Sequence, residues 1–352
     1  MKNKRNIIIA AVAVGVLLIG SVLFYNMGIS AVSSEAEEVI VEIKQGSSST
    51  QILNELDKAG LVNNKLCGKI YLKLHSYDKL MANTYIFNKN MSLSDMFDIM
   101  SEPNMDYVLK SVLTIKEGNT IPQVAEEYAK ILNISSQDVI KQWKDRKYLQ
   151  SLIDEYWFID ESILDKDIMY PLEGYLYPET YYVTDLNPTL DGMTKLALDM
   201  MDEKLTPYKE DIEKMGWTPH QFLTFVSIVE RESLLDEDRP MIAGVFMNRL
   251  NAGMALQSDI TVNYAWQRTG VDVSVVQTRI DSRYNTYRYV GLPVGPISTV
   301  SLKSIEASIH YTKHDYLYFV ADAWGDHPTG EVFYSKTYQE HMKKVKELQD
   351  RK

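Results

Sequence analysis

The stretch FVSIVERESLLDEDRP, residues 225–240, runs an apolar helical pattern into three consecutive charged residues, Glu230, Arg231 and Glu232. On an ideal helix, the apolar direction is set by Phe222, Leu223, Phe225, Val226, Ile228 and Val229. Glu232 then falls roughly 70° from that direction and Glu230 roughly 90° on the other side, with Arg231 pointing away. Both carboxylates lie at the margins of the buried face. They are either boundary residues of a solvated helix end, paired with Arg231 or Arg239, or one of them is held in a poorly solvated pocket. In the second case burial raises its pKa. A carboxylic acid kept neutral at working pH can protonate a leaving oxygen. The spacing alone does not choose between the two glutamates.

Cleavage of a glycosidic bond is one reaction that needs such an acid. Hydrolysis with retention or inversion needs a second carboxylate as nucleophile or base. Asp259 (in LQSDITVNY), Glu173 and Glu179 are the candidates. If the substrate's own hydroxyl attacks, one carboxylate suffices, acting first as acid and then as base. Tyrosines cluster at 170, 175, 177, 181 and 182, and again at 284, 287 and 289. Their amphipathic rings suit core strands, and they also suit the faces of sugars. His310 and His314 are four apart, as two ligands on one helical face would be, but the helix should end between them and no third ligand is obvious. The nucleophile-elbow, phosphate-loop, dinucleotide and HExxH patterns are absent from the sequence.

The elements that must position these groups can be read in outline. Residues 39–101 suggest a strand (VIVEIKQG), a Ser/Thr-capped helix up to Gly60, a second helix, the strand NTYIF and a helix capped by Ser92 or Ser94. Residues 107–118 suggest a strand pair with a turn. A helix with Pro122 in its first turn follows, then a polar helical stretch over 134–165. The segment YPLEGYLYPETYYV, 170–183, reads as irregular to extended. Long helices are expected over 189–214, 218–235 and 238–252, then short strands and turns up to 300. A helix near 301–312, the strand YLYFVAD with a turn after it, and a terminal helix over 336–350 complete the chain.

The net charge of −11 argues against nucleic acid as a partner, and an anionic polymer would have to be held by shape and hydrogen bonds. The lone cysteine, Cys67, allows no intramolecular disulfide and no multi-cysteine zinc site. At the N-terminus Lys2, Lys4 and Arg5 precede nineteen uncharged residues, Ile7 to Tyr25. That is close to the roughly 20 that span a bilayer, and longer than the apolar region of a cleaved signal. The positive flank places the N-terminus in the cytoplasm and everything after about residue 30 outside the membrane.

The residues then converge on one resemblance. SIVERES, RPMIAGVFMNRLNAGMALQSDITVNY, YNTY, GLPVGPIS and YLYFVAD, in that order and spacing, resemble the endolytic murein transglycosylase (YceG-like) family. TIKEGNTIPQVAEEYA and PLEGYLYPETY match it as well, and 39–106 is similar to its LysM-like subdomain. The resemblance covers nearly the whole chain. It implies an α+β fold: a transmembrane anchor (1–26), a linker (27–38), the LysM-like unit (39–106) and a larger catalytic domain of helices with a short sheet (107–352). It implies a single-pass membrane enzyme that cleaves the bond between N-acetylmuramic acid and N-acetylglucosamine in nascent glycan strands. The product is a 1,6-anhydro end, and strand elongation stops. Its expected neighbours are peptidoglycan synthases of the penicillin-binding class, and no metal or organic cofactor is implied. The family's acid corresponds to Glu232. The resemblance gives Glu173, Tyr177, Glu230, Ser233, Gln257, Ser258, Asp259, Asn285 and Tyr287 substrate-binding or tuning roles. Ser258 stands where the family usually has Thr, and Ile260 and Val294 where it usually has Pro. Two alternatives remain: a hydrolytic muramidase on the same bond, and a non-catalytic wall-binding scaffold.

Overall fold

The computed structural model describes residues 2–77, 79–102, 105–268, 273–322 and 329–350. The architecture is α+β, and the chain divides into two compact units: residues 1–112 with 182–187, and residues 113–181 with 188–352.

The first unit starts with α1 (Lys2–Ile29), continues through β1 (Glu38–Ile43), α2 (Ser49–Lys58), α3 (Lys65–Leu74), β2 (Asn83–Asn88) and α4 (Leu93–Ser101), and enters β3 (Ser111–Thr114). Within α1 the segment Val12–Ile29 has a mean hydropathy of 2.0, and it is long and apolar enough to cross a membrane. The helix continues into the segment expected as a linker. Gly28 lies so close to α3 that a Cβ there would sit 2.4 Å from Cys67 Sγ. Asn63 Nδ2 donates to Ala31 O at 2.8 Å. Residues 27–31 are therefore pinned, because the glycine lets one helix pack directly on the other. β1 and β2 pair antiparallel, with Val41 opposite Tyr85 and Val39 opposite Phe87. Capping boxes at Ser48/Gln51 and Ser92/Asp95 start α2 and α4. Leu53, Leu56, Tyr85, Phe87, Met96 and Phe97 fill the core beneath them.

The expected strand pair at 107–118 is a single strand. β3 pairs instead with the distant β4 (Thr180–Val183), and Ile115 N donates to Glu179 O at 3.0 Å. The second unit contains α5 (Ile121–Leu132), α6 (Ser136–Gln142), α7 (Arg146–Glu155), α8 (Leu190–Leu205), α9 (Lys209–Lys214), α10 (Pro219–Glu232), α11 (Arg239–Asn251), α12 (Asp259–Ala265) and α13 (Leu302–Ile309). The hairpin β5 (Tyr318–Ala321) and β6 (Val332–Ser335) and the terminal α14 (Tyr338–Gln349) complete it. The turn expected after the YLYFVAD strand falls at 323–328, outside the described residues. The helix expected over 189–214 is two, because Pro207 breaks it in a single turn of 3-10 helix, Thr206–Tyr208. The strands expected before residue 300 are not the dominant structure either: 259–265 is helical despite Ile260, Thr261 and Val262. Those side chains are buried, so packing overrides the weak preference of β-branched residues for strands.

The centre of this unit is α10. Thr218 and Gln221 form a capping box around Pro219. Phe225, Ile228 and Val229 then pack against Ile242, Ala243 and Phe246 of α11 and against Ile260 and Tyr264 of α12. Each buried Val, Ile or Phe among them contributes about 1.5–3 kcal/mol. This packing fixes where the C-terminal end of α10 points.

Candidate active site

α10 stops at Glu232, three residues short of the expected end. Ser233 turns to an extended conformation (φ −99°, ψ 121°), and its N–H closes the last turn on Val229 O at 3.2 Å. The helix thus presents Glu232 at its last position. Part of the side chain remains accessible at the surface, but the carboxyl itself is enclosed by protein. Burial pushes its pKa up from 4.5 to about 7, and the negative charge of Asp259 adds to the rise. The Ser258 hydrogen bond and the cations Arg249 and Arg231 pull the other way without cancelling it.

The partner of Glu232 is Ser258, whose Oγ donates to Oε1 at 2.5 Å. Ser258 occupies the N-cap position of α12 yet makes no capping bond with its side chain. A capping hydroxyl contributes about 1 kcal/mol to a helix, and here it is committed to the carboxylate instead. Other groups hold Ser258 in place: its N–H donates to Thr286 Oγ1 at 3.0 Å, and its carbonyl accepts from Thr261 Oγ1 at 2.7 Å. The neighbouring Gln257 is exposed and has a positive φ of 51°. Arg249 braces this strained loop from below. Its guanidinium donates to Leu256 O at 2.7 Å and Leu317 O at 2.6 Å and lies over the Tyr318 ring. Sequence reasoning missed Arg249 and Thr286. A basic residue in the last turn of a helix usually complements the helix dipole at the surface, and nothing in NRLN marks this one as buried.

Asp259, the first residue of α12, accepts from Tyr287 Oη at 2.6 Å. Burial and that bond raise the Tyr287 pKa. Glu232, Ser258, Asp259, Tyr287, Arg249 and Gln257 therefore belong to one constellation.

The remaining predicted positions are engaged elsewhere. Glu230 is buried and saturated: Oε2 accepts from Ser301 N at 2.9 Å and Ser301 Oγ at 2.7 Å, and Oε1 meets Arg239 at 3.1 Å. It ties the start of α13 to the start of α11, an arrangement that suits a structural role. Asn285 braces its own loop, donating to Thr278 O and Ile280 O and accepting from Tyr287 N; it orients Tyr287 and has no donor left for a ligand. Tyr177 is buried against the start of α13. Ser233 is buried beside Glu232, and its Oγ has no hydrogen-bond partner among the described residues. Glu173 is fully enclosed, accepting from Ile121 N at 3.0 Å and Tyr264 Oη at 2.9 Å. Burial raises its pKa to about 8, against the pull of those two bonds and of Arg231. It ties the start of α5 to α12. His314 is satisfied by backbone at both nitrogens, Met241 O and Tyr316 N, which leaves no lone pair for a metal.

A cavity of about 650 Å3 lies at the other end of α10, around Trp217, His220 and Leu292. His220 is twelve residues before Glu232, about 18 Å along the axis, so that cavity is remote from Glu232. What the Glu232 constellation can do is hold one proton near neutrality beside a hydroxyl donor and a second carboxylate.

The model of the YceG-like family matches residues 41–347. A Streptococcus pneumoniae (serotype 2, strain D39) protein named endolytic murein transglycosylase is 36% identical over 324 residues, covering 88% of this chain and 58% of that protein. A Bacillus subtilis (strain 168) protein of the same name is 32% identical over 330 residues, covering 93% of this chain and 90% of its own. The crystal structure of a putative YceG-like protein from Listeria monocytogenes matches with a TM-score of 0.63 and 35% identity, over 88% of this chain and 99% of that one. The chain spans little more than half the length of the streptococcal relative.

Proposed function

The chain belongs to the YceG-like family, and on that premise we propose that it is an endolytic lytic transglycosylase of peptidoglycan. The observation that carries the reading is Glu232: a carboxyl enclosed at the end of a buried helix, hydrogen-bonded to Ser258, with a pKa near 7. In its neutral form it donates its proton to the oxygen between the muramyl residue and the next glucosamine, and that C1–O bond breaks. The oxocarbenium character that develops at C1 favours a nearby negative charge, which the newly formed Glu232 carboxylate supplies. The muramyl 6-hydroxyl then attacks C1 and returns its proton to Glu232. A 1,6-anhydro ring forms, no water is consumed, and the acid is regenerated. Ser258 orients the carboxyl, and Arg249 holds the loop that carries Ser258.

One observation favours a second reading, hydrolysis of the same bond: Asp259 is close enough for its charge to raise the pKa of Glu232. Its carboxylate already accepts the Tyr287 hydroxyl, which places it as an orienting group more readily than as a base. Running the reaction in oxygen-18 water separates the two. Transglycosylation leaves new muramyl ends unlabelled, and hydrolysis puts one heavy oxygen on each.

The rest of the assignment follows from the same premise. Residues 39–106 act as a LysM-like unit, 107–352 as the catalytic domain, and 27–38 as the connection to the anchor. Residues 1–26 form a cytoplasmic N-terminus and an anchor that crosses the membrane once, with Lys2, Lys4 and Arg5 on the cytoplasmic side. The substrate is the nascent strand as it leaves a peptidoglycan synthase, and cutting it ends elongation.

A further inference from the structure

The second unit holds a cleft that the reaction above does not use. It measures about 410 Å3 and is lined by Gly118, Asn119, Thr120, Gln123, Arg231 and Arg268, with Tyr264 and Gln267 beside them. Its charge is unusual for this chain. The protein carries −11 overall, yet the ionised side chains lining this cleft are both cations. Arg231 Nη1 donates only to Gly118 O, at 3.0 Å. The acidic side chains that pair with arginines in this unit are taken by Arg239 and Arg288. Arg231 and Arg268 are thus without an ion pair among the described residues. The other polar groups, Gln123, Gln267, Thr120 and Asn119, are neutral donors and acceptors. Arg231 also precedes Glu232 in α10, and its charge is felt by the Glu232 carboxyl.

We infer that this cleft receives a carboxylate of the peptide carried by the muramyl residue, held between Arg231 and Arg268. The inference rests on the peptidoglycan reading. Peptide side chains of peptidoglycan hang from the same sugar whose C1 is attacked, and they bear free carboxylates. Two guanidinium groups in a partly enclosed cleft bind such a group with charge-assisted hydrogen bonds. Occupancy also feeds back on the chemistry. Arg231 lowers the proton affinity of Glu232, so an anion that neutralises Arg231 favours the protonated acid at the moment the correct substrate is bound.

The test measures binding of soluble, uncrosslinked glycan strands to the 352-residue chain in detergent micelles, with Glu232→Gln to prevent turnover. Strands with intact peptides are compared with strands stripped of them by an amidase. Peptide-bearing strands are expected to bind about tenfold more tightly, as one charged hydrogen bond allows. Arg231→Gln and the exposed Arg268→Gln should each remove most of that difference and leave stripped strands unaffected, while Arg231→Lys should retain it. Equal binding of both strand types overturns the proposal, as does an equal loss on stripped strands. A third arm compares strands with and without a polyprenyl pyrophosphate end; arginine dependence that follows the pyrophosphate also overturns it. If no strand binds at all, the peptidoglycan reading falls first, a result distinct from binding without peptide preference.

Discussion

Replacing Glu232 with Gln should stabilise the protein at high pH and not at low pH. Folding raises the carboxyl from 4.5 to about 7. Below pH 4.5 the group is protonated in both the folded and unfolded states, and it adds no penalty. Between pH 4.5 and 7 the unfolded chain releases its proton first, so folding is progressively disfavoured. Above 7 both states are ionised, and the folded state carries the full cost. At about 1.36 kcal/mol per tenfold change in proton affinity, that cost is about 3 kcal/mol. Gln has nearly the same shape, accepts the Ser258 hydrogen bond and never ionises. The assay is urea denaturation of the full chain in micelles followed by tryptophan fluorescence. The four tryptophans among the described residues, Trp143, Trp157, Trp217 and Trp266, lie in the second unit, so the signal reports the unit that holds the site. The Gln variant should match the parent at pH 4 and exceed it by up to about 3 kcal/mol at pH 8. A difference that stays flat across that range would refute the claim that Glu232 is desolvated.

Three other expectations concern the same constellation. The proposed mechanism needs the proton on Glu232, so kcat/KM should fall as pH rises through about 7, which a pH–rate profile reads directly. Ser258→Ala removes a bond that lowers that pKa and orients the carboxyl; turnover should drop by roughly ten- to a hundredfold, and the falling limb of the profile should move to higher pH. Arg239→Met strands the buried Glu230 without its cation and should cost about 3–5 kcal/mol by denaturant titration; replacing Glu230 with Gln on the same background should recover part of the loss.

Much of the fold is legible in the sequence because it is written in local signals. Capping boxes at Ser48, Ser92 and Thr218 mark helix starts, and alternation marks β1. What the sequence hides is long-range. The strand over 111–114 finds its partner at 180–183, and no spacing within 107–118 announces that. α12 is built from residues that favour strands and is held by burial. The site divides along the same line. Helical geometry left Glu230 and Glu232 nearly equivalent; what separates them is tertiary. Ser301 and Arg239 saturate the one, while the other faces a single serine and a second acid. The helix ends between them and the following loop, and Ser233, extended rather than helical, is the residue that makes Glu232 terminal. Arg249 was invisible because its value lies in three backbone carbonyls brought from residues 255, 256 and 317.

The most direct test is the mass of the fragments that the 352-residue chain releases from uncrosslinked peptidoglycan, beside Glu232→Gln. The account predicts muramyl ends one water lighter than the reducing sugar, absent with the Gln variant. Reducing ends, or anhydro ends that persist when Glu232 is Gln, would contradict it.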